Sequence, residues 1–397
     1  MAITINSSPD NYSSLHAPLY YVVTSTNTAQ TNFKYVCDIY VNGNLITRLK
    51  SFPQPTSSKG IFNIASVVRN YWASYFKPDI VSPSAFSYTG SDIYVDFVIK
   101  FGEEYGGVTY LDLTTSTKRA YNYVQDYLYN PTSVPYLTPS EYQTQFKGKY
   151  ISQRDYSNIK FSGLQTGYLF LSFLSDAENT TKSHSIDVSV YNGTTTNYTG
   201  AGVSFKDFAL LDISPRAIND YLGTTAISSS YIYYDVKIKI AGVLKDTARV
   251  YKTCTQDDAM SLHFLNSLGG YDTFEFTCVN RQSRNIDKSS FEGIEYEYAS
   301  NAMNRANTYG VLYGGATQFS TRQSISYRLV SDWVNYIDYL WLKQLIASPE
   351  VYLERGNTFI PVTINTTNWS EKKQYRDKTY NIELDIALGN KVNSQFR

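Results

Sequence analysis

The chain has 397 residues, longer than most single compact domains, and its 35 Lys and Arg balance its 35 Asp and Glu, so no global field steers it toward nucleic acid or a membrane surface. Charged residues make up 18 %, below the roughly 25 % of an ordinary soluble domain, and 38 tyrosines with long Ser, Thr and Asn tracts supply neutral polarity in their place. Three cysteines, Cys37, Cys254 and Cys278, are too few for a disulfide framework and fit a reduced compartment. The opening MAITINSSPDNYSS has neither the basic region nor the apolar run of a secretory signal, and no stretch approaches the roughly 18 apolar residues of a membrane helix.

In chain order, Phe33, Tyr35, Cys37, Ile39 and Val41 alternate up to a turn at Asn42, Gly43 and Asn44, which predicts a hairpin. Ile64, Val67, Val68, Tyr71, Trp72 and Tyr75 then recur at steps of three and four and predict a helix of about 13 residues, stopped by Pro78. Alternation returns from Asp92 to Tyr110, around a turn at Glu103 to Gly107. Residues 1–112 thus read as a β-sandwich carrying one crossing helix. Residues 113–150, with a short helical run at YNYVQDYLYN and then Pro131, Pro135 and Pro139, read as a linker or projecting arm.

Strands at 167–174, 184–193 and 231–242, with a short helix opened by Ser214 and Pro215, make 151–250 a second β-sandwich. Residues 251–397 read as an α+β unit. It contains a short helix-like piece ended by Gly269 and Gly270, a strand from Thr273, and a glycine-rich turn from Gly310 to Gly315. A helix over 331–347 follows, capped by Ser331, striped by Trp333, Ile337, Leu340, Trp341 and Leu345, and ended by Pro349; strands at 351–353, 359–365 and 380–388 complete the unit. The fold class expected is mainly β: multi-domain β-sandwich units with a few short amphipathic helices, a β-rich α+β chain. No fixed-period internal repeat is visible, although the first and second units share a style of alternating strands plus one short helix.

Chemistry-bearing residues are sparse. The histidines, His16, His184 and His263, sit in separate segments and read as surface or packing residues, so no nucleophile–base pair is expected. No cysteine stands at metal-ligand spacing from another or from a histidine, and the pairs Glu103–Glu104 and Asp257–Asp258 lack the spacing of a calcium loop. The glycine pairs are turns, with no phosphate-loop fingerprint. Glu292, Glu295 and Glu297 form the densest acidic cluster and read as a solvated strand face, while Lys372, Lys373, Arg376 and Lys378 alternate with Glu371 and Asp377 as a polar turn. The expectation is a protein that is not an enzyme, with no catalytic, cofactor-binding or metal site and no cofactor. Tyrosine combines a rigid apolar body with a polar tip, so a share of the 38 is expected between subunits.

At HFLNSLGGYDTFEF, and at SDWVNYIDYLWLKQLIASPEVYLE followed by FIPVTI and a closing YNIELDIAL strand, the chain resembles virion structural proteins of tailed phages that infect Bacteroidetes, including the crAss-like group. DIYVNGNLITRLK and the NYW helix are similar in style. The resemblance covers the last 140 or so residues well and the first 80 loosely. It implies a tail or neck ring or adaptor protein, assembled in the host bacterial cytoplasm into the virion. Its partners would be copies of itself in a ring and other tail or neck proteins, with no sequence-specific nucleic-acid contact and no membrane. The competing expectation is a host-attachment or glycan-binding tail protein, motivated by sandwich domains and exposed aromatics.

Overall fold

The computed structural model describes residues 3–72, 87–89, 94–124, 139–162, 167–176, 182–205, 208–253, 259–278, 280–305, 307–308, 310–312, 314–356, 358–366 and 380–389. The first helix, expected over about 13 residues, is corrected: only Ala65–Asn70 is helical and Tyr71 closes it, with Trp72 already beyond it. Tyr75 to Pro78 lie outside the described residues, as do most of YNYVQDYLYN, Cys254, Asp257, Asp258 and the basic stretch Lys372 to Lys378. The protein is mainly β, as its alternation requires, and divides into two compact units. Unit 1 is Met1–Thr253 with Leu265–Thr273; unit 2 is Cys254–Phe264 with Phe274–Arg397. Both expected sandwiches therefore fall in unit 1. Among the described residues no helix is long and apolar enough to cross a membrane.

The first part of unit 1 contains β1 (Ile3–Ser7), β2 (Ser13–Ser14), β3 (Tyr20–Ser25), β4 (Lys34–Val41), β5 (Asn44–Ser51), β6 (Gly60–Asn63), α1 (Ala65–Asn70), β7 (Ser87–Thr89), β8 (Tyr94–Tyr105), β9 (Val108–Thr114) and β10 (Lys118–Tyr121). One sheet runs β1-β3-β6, the other β2-β10-β8-β4-β5 with β9 also on β8. The alternating side chains of β4 and β8, Tyr35, Cys37, Ile39, Phe97, Ile99 and Phe101 among them, fill the space between. Asn42 at φ 49° and Gly43 at φ 82° make the tight β4–β5 turn that the Asn-Gly pair announces. On the opposite face of β4, Arg48 grips Asp38 through two nitrogens at 2.6 and 2.7 Å.

The second part contains α2 (Pro139–Phe146), β11 (Lys149–Tyr150), β12 (Ile159–Phe161), β13 (Phe170–Leu174), β14 (Lys182–Tyr191), β15 (Thr195–Thr199), β16 (Val203–Phe205), β17 (Phe208–Asp212), α3 (Pro215–Leu222), β18 (Tyr233–Ile240) and β19 (Val243–Lys252). Its sheets are β11-β13-β17 and β12-β19-β18-β14-β15, with β16 on β14 and β7 on β17. Within the stretch 113–150, β10 is part of the first sheet and Tyr121, Tyr123 and Tyr142 are buried.

These two sandwiches repeat one another in structure, which gives the style shared by their sequences a concrete form although no fixed-period sequence repeat is visible. In the first, Tyr20 pairs with Asn63, Ile64 N donates to Leu19 O, and Asn63 Oδ1 accepts from the backbone N–H of Leu19 and Ala65, both at 3.2 Å. In the second, Phe170 pairs with Asp212, Ile213 N donates to Leu169 O, and Asp212 Oδ1 accepts from Leu169 N at 3.2 Å and Ser214 N at 3.0 Å. A helix follows each corner. Around it, two hairpins are joined through their first strands, giving the orders β5-β4-β8-β9 and β15-β14-β18-β19. The repeat escapes sequence inspection because its signal is backbone register and one side-chain oxygen, and the second copy uses Asp where the first uses Asn.

Unit 2 contains β20 (Met260–Leu265), β21 (Tyr271–Phe276), β22 (Arg281–Gly293), β23 (Tyr296–Ala299), β24 (Ala302–Arg305), β25 (Asn307–Thr308), β26 (Val311–Leu312), β27 (Gly315–Val330), α4 (Tyr336–Ala347), β28 (Val351–Arg355), β29 (Thr358–Ile364) and β30 (Glu383–Leu388), with residues 265–273 counted in unit 1. Its sheet runs β22-β27-β30-β29-β28-β20, and Trp341, Leu342 and Leu345 of α4 pack on Phe264, Leu329 and Leu384. Two expectations are corrected. The expected helical piece before Gly269 is β20 and a turn in which Asn266 Oδ1 accepts from Leu268 N and Gly270 N; a Cβ on Gly269 would stand 2.2 Å from Asn122 O. The helix expected from Ser331 begins at Tyr336, capped by Asn335. Val334 bridges Tyr380, and Ser331 Oγ accepts from Ile382 N, which holds 331–334 extended and leaves Trp333 and Ile337 exposed.

Part of the tyrosine content has a place inside the chain. Among the described residues thirteen are buried, and several end in a backbone carbonyl: Tyr35 on Ser58, Tyr142 on Leu268, Tyr150 on Val236 and Tyr234 on Ile213. At these four the hydroxyl is satisfied by the chain, whereas among the described residues the hydroxyl of the fully buried Tyr21 is not.

The corner yields a prediction. Asp212→Ala strips acceptors from two buried N–H groups and from Arg216 and is expected to cost about 2–4 kcal/mol, whereas Asp212→Asn, which reproduces the first sandwich's chemistry, is tolerated. Burial pushes the Asp212 carboxyl up, so ionisation opposes folding and stability is lost as pH rises from the unfolded carboxylate range through the folded value. Thermal melts at pH 4 and 7 should therefore show Asp212→Asn gaining on the native protein as pH rises; a gain at the acid end would contradict the sign.

Candidate functional site

The most distinctive surface of the molecule is a ribbon in unit 2. Strands β22 and β27 pair from Arg281–Arg328 out to Gly293–Gly315. β30 accompanies β27 only from Ser326 to Val330, so from Arg284–Ile325 outward the ribbon has no third strand among the described residues. Arg284 to Gly293 spans about 30 Å at ~3.3 Å per residue. The base is anchored: Tyr327 and Leu329 are buried in the unit 2 core, and Arg328 pairs with Glu383 of β30. Beyond it every residue of β22 before Gly293 is exposed, as are all of β23 and β24.

Local chemistry shapes the ribbon and its tip. A bulge between Ser289 and Ser290 leaves Phe319 extra on β27, and its ring meets Phe291 with centroids 6.2 Å apart. At the outer end β23 and β24 form a small hairpin around Ser300 and Asn301, both at positive φ. Glu295 comes so close to Gly314 that a Cβ there would stand 2.4 Å from Glu295 Cα. Large apolar side chains nonetheless face water: Ile294 is 80 % exposed, Tyr298 70 % and Met303 65 %, with Ile286, Phe291 and Phe319 along the stem. A lone two-stranded ribbon is marginal in water, and this one leaves its large apolar side chains without a core.

The residues singled out from the sequence take ordinary structural places. Glu292, Glu295 and Glu297 belong to this arm's outer end and are exposed, Glu297 opposite Asn304. Glu103 and Glu104 lie within β8, and the turn is Gly106–Gly107 alone. Glu103 accepts from Ser25 and Asn27, and Glu104 pairs with Lys50 at 2.5 Å and Lys34 at 3.6 Å. His16 donates through Nε2 to Asn122 Oδ1 at 2.8 Å. His263 lies in β20, where a helix start was expected, buried with Nε2 3.1 Å from Glu354 Oε2.

His184 has a partner that sequence reasoning missed. Its Nδ1 donates to Lys182 O at 2.8 Å, so Nε2 accepts from Ser175 Oγ at 2.9 Å, a serine–histidine contact of the kind that activates nucleophiles. Both residues are buried, however, the ring is stacked on Phe205 at 3.6 Å, and burial pushes its pKa down. A backbone carbonyl stands where a triad would place a carboxylate. The pair satisfies two buried polar groups inside the second sandwich. Among the described residues no group of three His, Cys, Asp or Glu is arranged to hold a metal ion. Burial pushes the thiols of Cys37 and Cys278 up.

No protein-family model matches this chain, and no curated protein matches it.

Because no residue from Asp287 to Arg322 belongs to the unit 2 core, replacing that segment by Asn-Gly should leave the unit 2 melting transition within about 0.5 kcal/mol of native. A collapsed near-UV circular dichroism spectrum in that variant would instead make the arm a structural element.

Proposed function

We propose that this chain is a structural subunit of a tailed-phage virion, a tail or neck ring or adaptor protein whose copies surround the central channel. The observation that carries the reading is the arm from Arg284 to Ile325, which presents apolar side chains to water on a ribbon with no core of its own. Such an element is stabilised by a neighbouring chain and serves no evident purpose in an isolated monomer. The two repeated sandwiches fit the same role, since bidentate Arg–Asp pairs, Arg48 on Asp38 and Arg249 on Asp235, and dense aromatic cores make rigid blocks suited to a wall. The sequence resemblance to virion proteins supplies the setting.

The purified protein is expected to form closed multi-copy particles in negative-stain images, with a mass by light scattering several times that of the 45.1 kDa chain. Immunogold labelling of the virions that carry it should fall on the tail or neck. A monodisperse monomer at high concentration would sink the proposal, and label on the host-binding tip of the tail would favour the attachment reading.

A further inference from the structure

The arm is electrically polarised along its length. On the stem, Arg281, Arg284, Lys288 and Arg322 face a single acid, Asp287, while at the outer end Glu292, Glu295 and Glu297 face only Arg305. Within one molecule the two regions are held apart by the paired strands: Glu295, beside Gly314, is about 30 Å from Arg284, and even Lys288 and Glu292 on β22 are about 13 Å apart, beyond the ~8 Å screening length at physiological salt.

We infer that the acidic, apolar tip of this arm docks on the basic, apolar stem of the arm of a second copy of the chain. The inference deepens the reading of the chain as a self-assembling subunit and rests on it. Charge complementarity selects this occupant: each chain carries both the tip and the stem that fits it, so every copy both gives and receives the contact. The apolar side chains supply the rest. Ile294, Tyr298 and Met303 at the tip and Ile286, Phe291 and Phe319 on the stem each leave on the order of 100 Å² to be covered. A reciprocal or repeated contact of this kind reaches the roughly 1,000 Å² of a specific interface. Arg284, Ile286 and Lys288 share one face of β22, so the apolar anchor lies between two cations, and a tip docked there places Glu295 and Glu297 against them. Passed from copy to copy in one direction, the contact closes a ring; exchanged between two copies, it closes a dimer.

The test is a charge swap on the full-length protein, read by sedimentation velocity and mass photometry. Glu295→Lys with Glu297→Lys reverses the tip, and Arg284→Glu with Lys288→Glu reverses the stem; all four positions are exposed, and circular dichroism checks that each variant is folded. Either reversal alone should weaken self-association at least tenfold. A one-to-one mixture of the two should recover it, because the lysine tip of one meets the glutamate stem of the other. Added salt should weaken the native contact. Native-strength assembly of either single reversal overturns the inference, as does a mixture that stays dissociated. Rings that survive both reversals would leave the subunit reading intact while removing the arm from it. Closed dimers that respond to the reversals would keep the tip-on-stem contact and remove the ring. A native protein that stays monomeric overturns both.

Discussion

In each sandwich of unit 1 the chain must leave one sheet, form a helix and enter the other, and at that corner backbone N–H groups lose their ladder partners while buried. A single side-chain oxygen resolves the conflict. Asn63 Oδ1 in the first sandwich and Asp212 Oδ1 in the second accept both from the incoming strand, at Leu19 or Leu169, and from the first turn beyond the corner. The bond ties β3 to β6 and β13 to β17 in matching register, and the hairpins that follow are placed by that register. Carboxamide and carboxylate serve alike because the geometry needs an acceptor; Asn63 is exposed and Asp212 buried, so only the second corner carries the cost of burying a charge.

The same rule of satisfied burial explains the aromatic content. Tyrosine fills a core as phenylalanine does, provided its hydroxyl finds an acceptor, and Tyr35, Tyr142, Tyr150 and Tyr234 each find a backbone carbonyl. Other tyrosines face water, Tyr298 on the arm most of all, with Tyr20, Tyr71, Tyr110 and Tyr296 about half exposed. The histidines follow the first pattern: His184 and His263 are buried with partners, and their polarity is spent on packing.

Unit 2 shows what happens when the rule is not met within one chain. β22 and β27 satisfy each other's backbone groups, yet outward of Ile325 every side chain of β22 before Gly293 is exposed, and Phe291 and Phe319 stay exposed although their rings meet. The ribbon is well formed as hydrogen bonding and incomplete as burial, and this imbalance separates it from the rest of the described protein.

Wherever one strand face is buried, the sequence by itself determined the element: the β4–β5 hairpin with its Asn-Gly turn, the Ser214-Pro215 opening of α3 and the strands at 351–364 are legible because burial forces a period of two or a cap. The mainly β class follows from the same signal. The arm was not legible, because GATQFSTRQSIS places small and polar residues at both its half-buried and its exposed positions and so has no apolar alternation to read, and the acidic cluster at the arm's outer end reads as a solvated strand with no setting. The helix from Ser331 was placed five residues early because a long-range bridge from Val334 to Tyr380 overrode a good local cap. The sandwich repeat was hidden for a related reason. Its determinants are register and one acceptor oxygen, which many sequences supply, so only the tertiary structure, where distant strands select their partners, decided it.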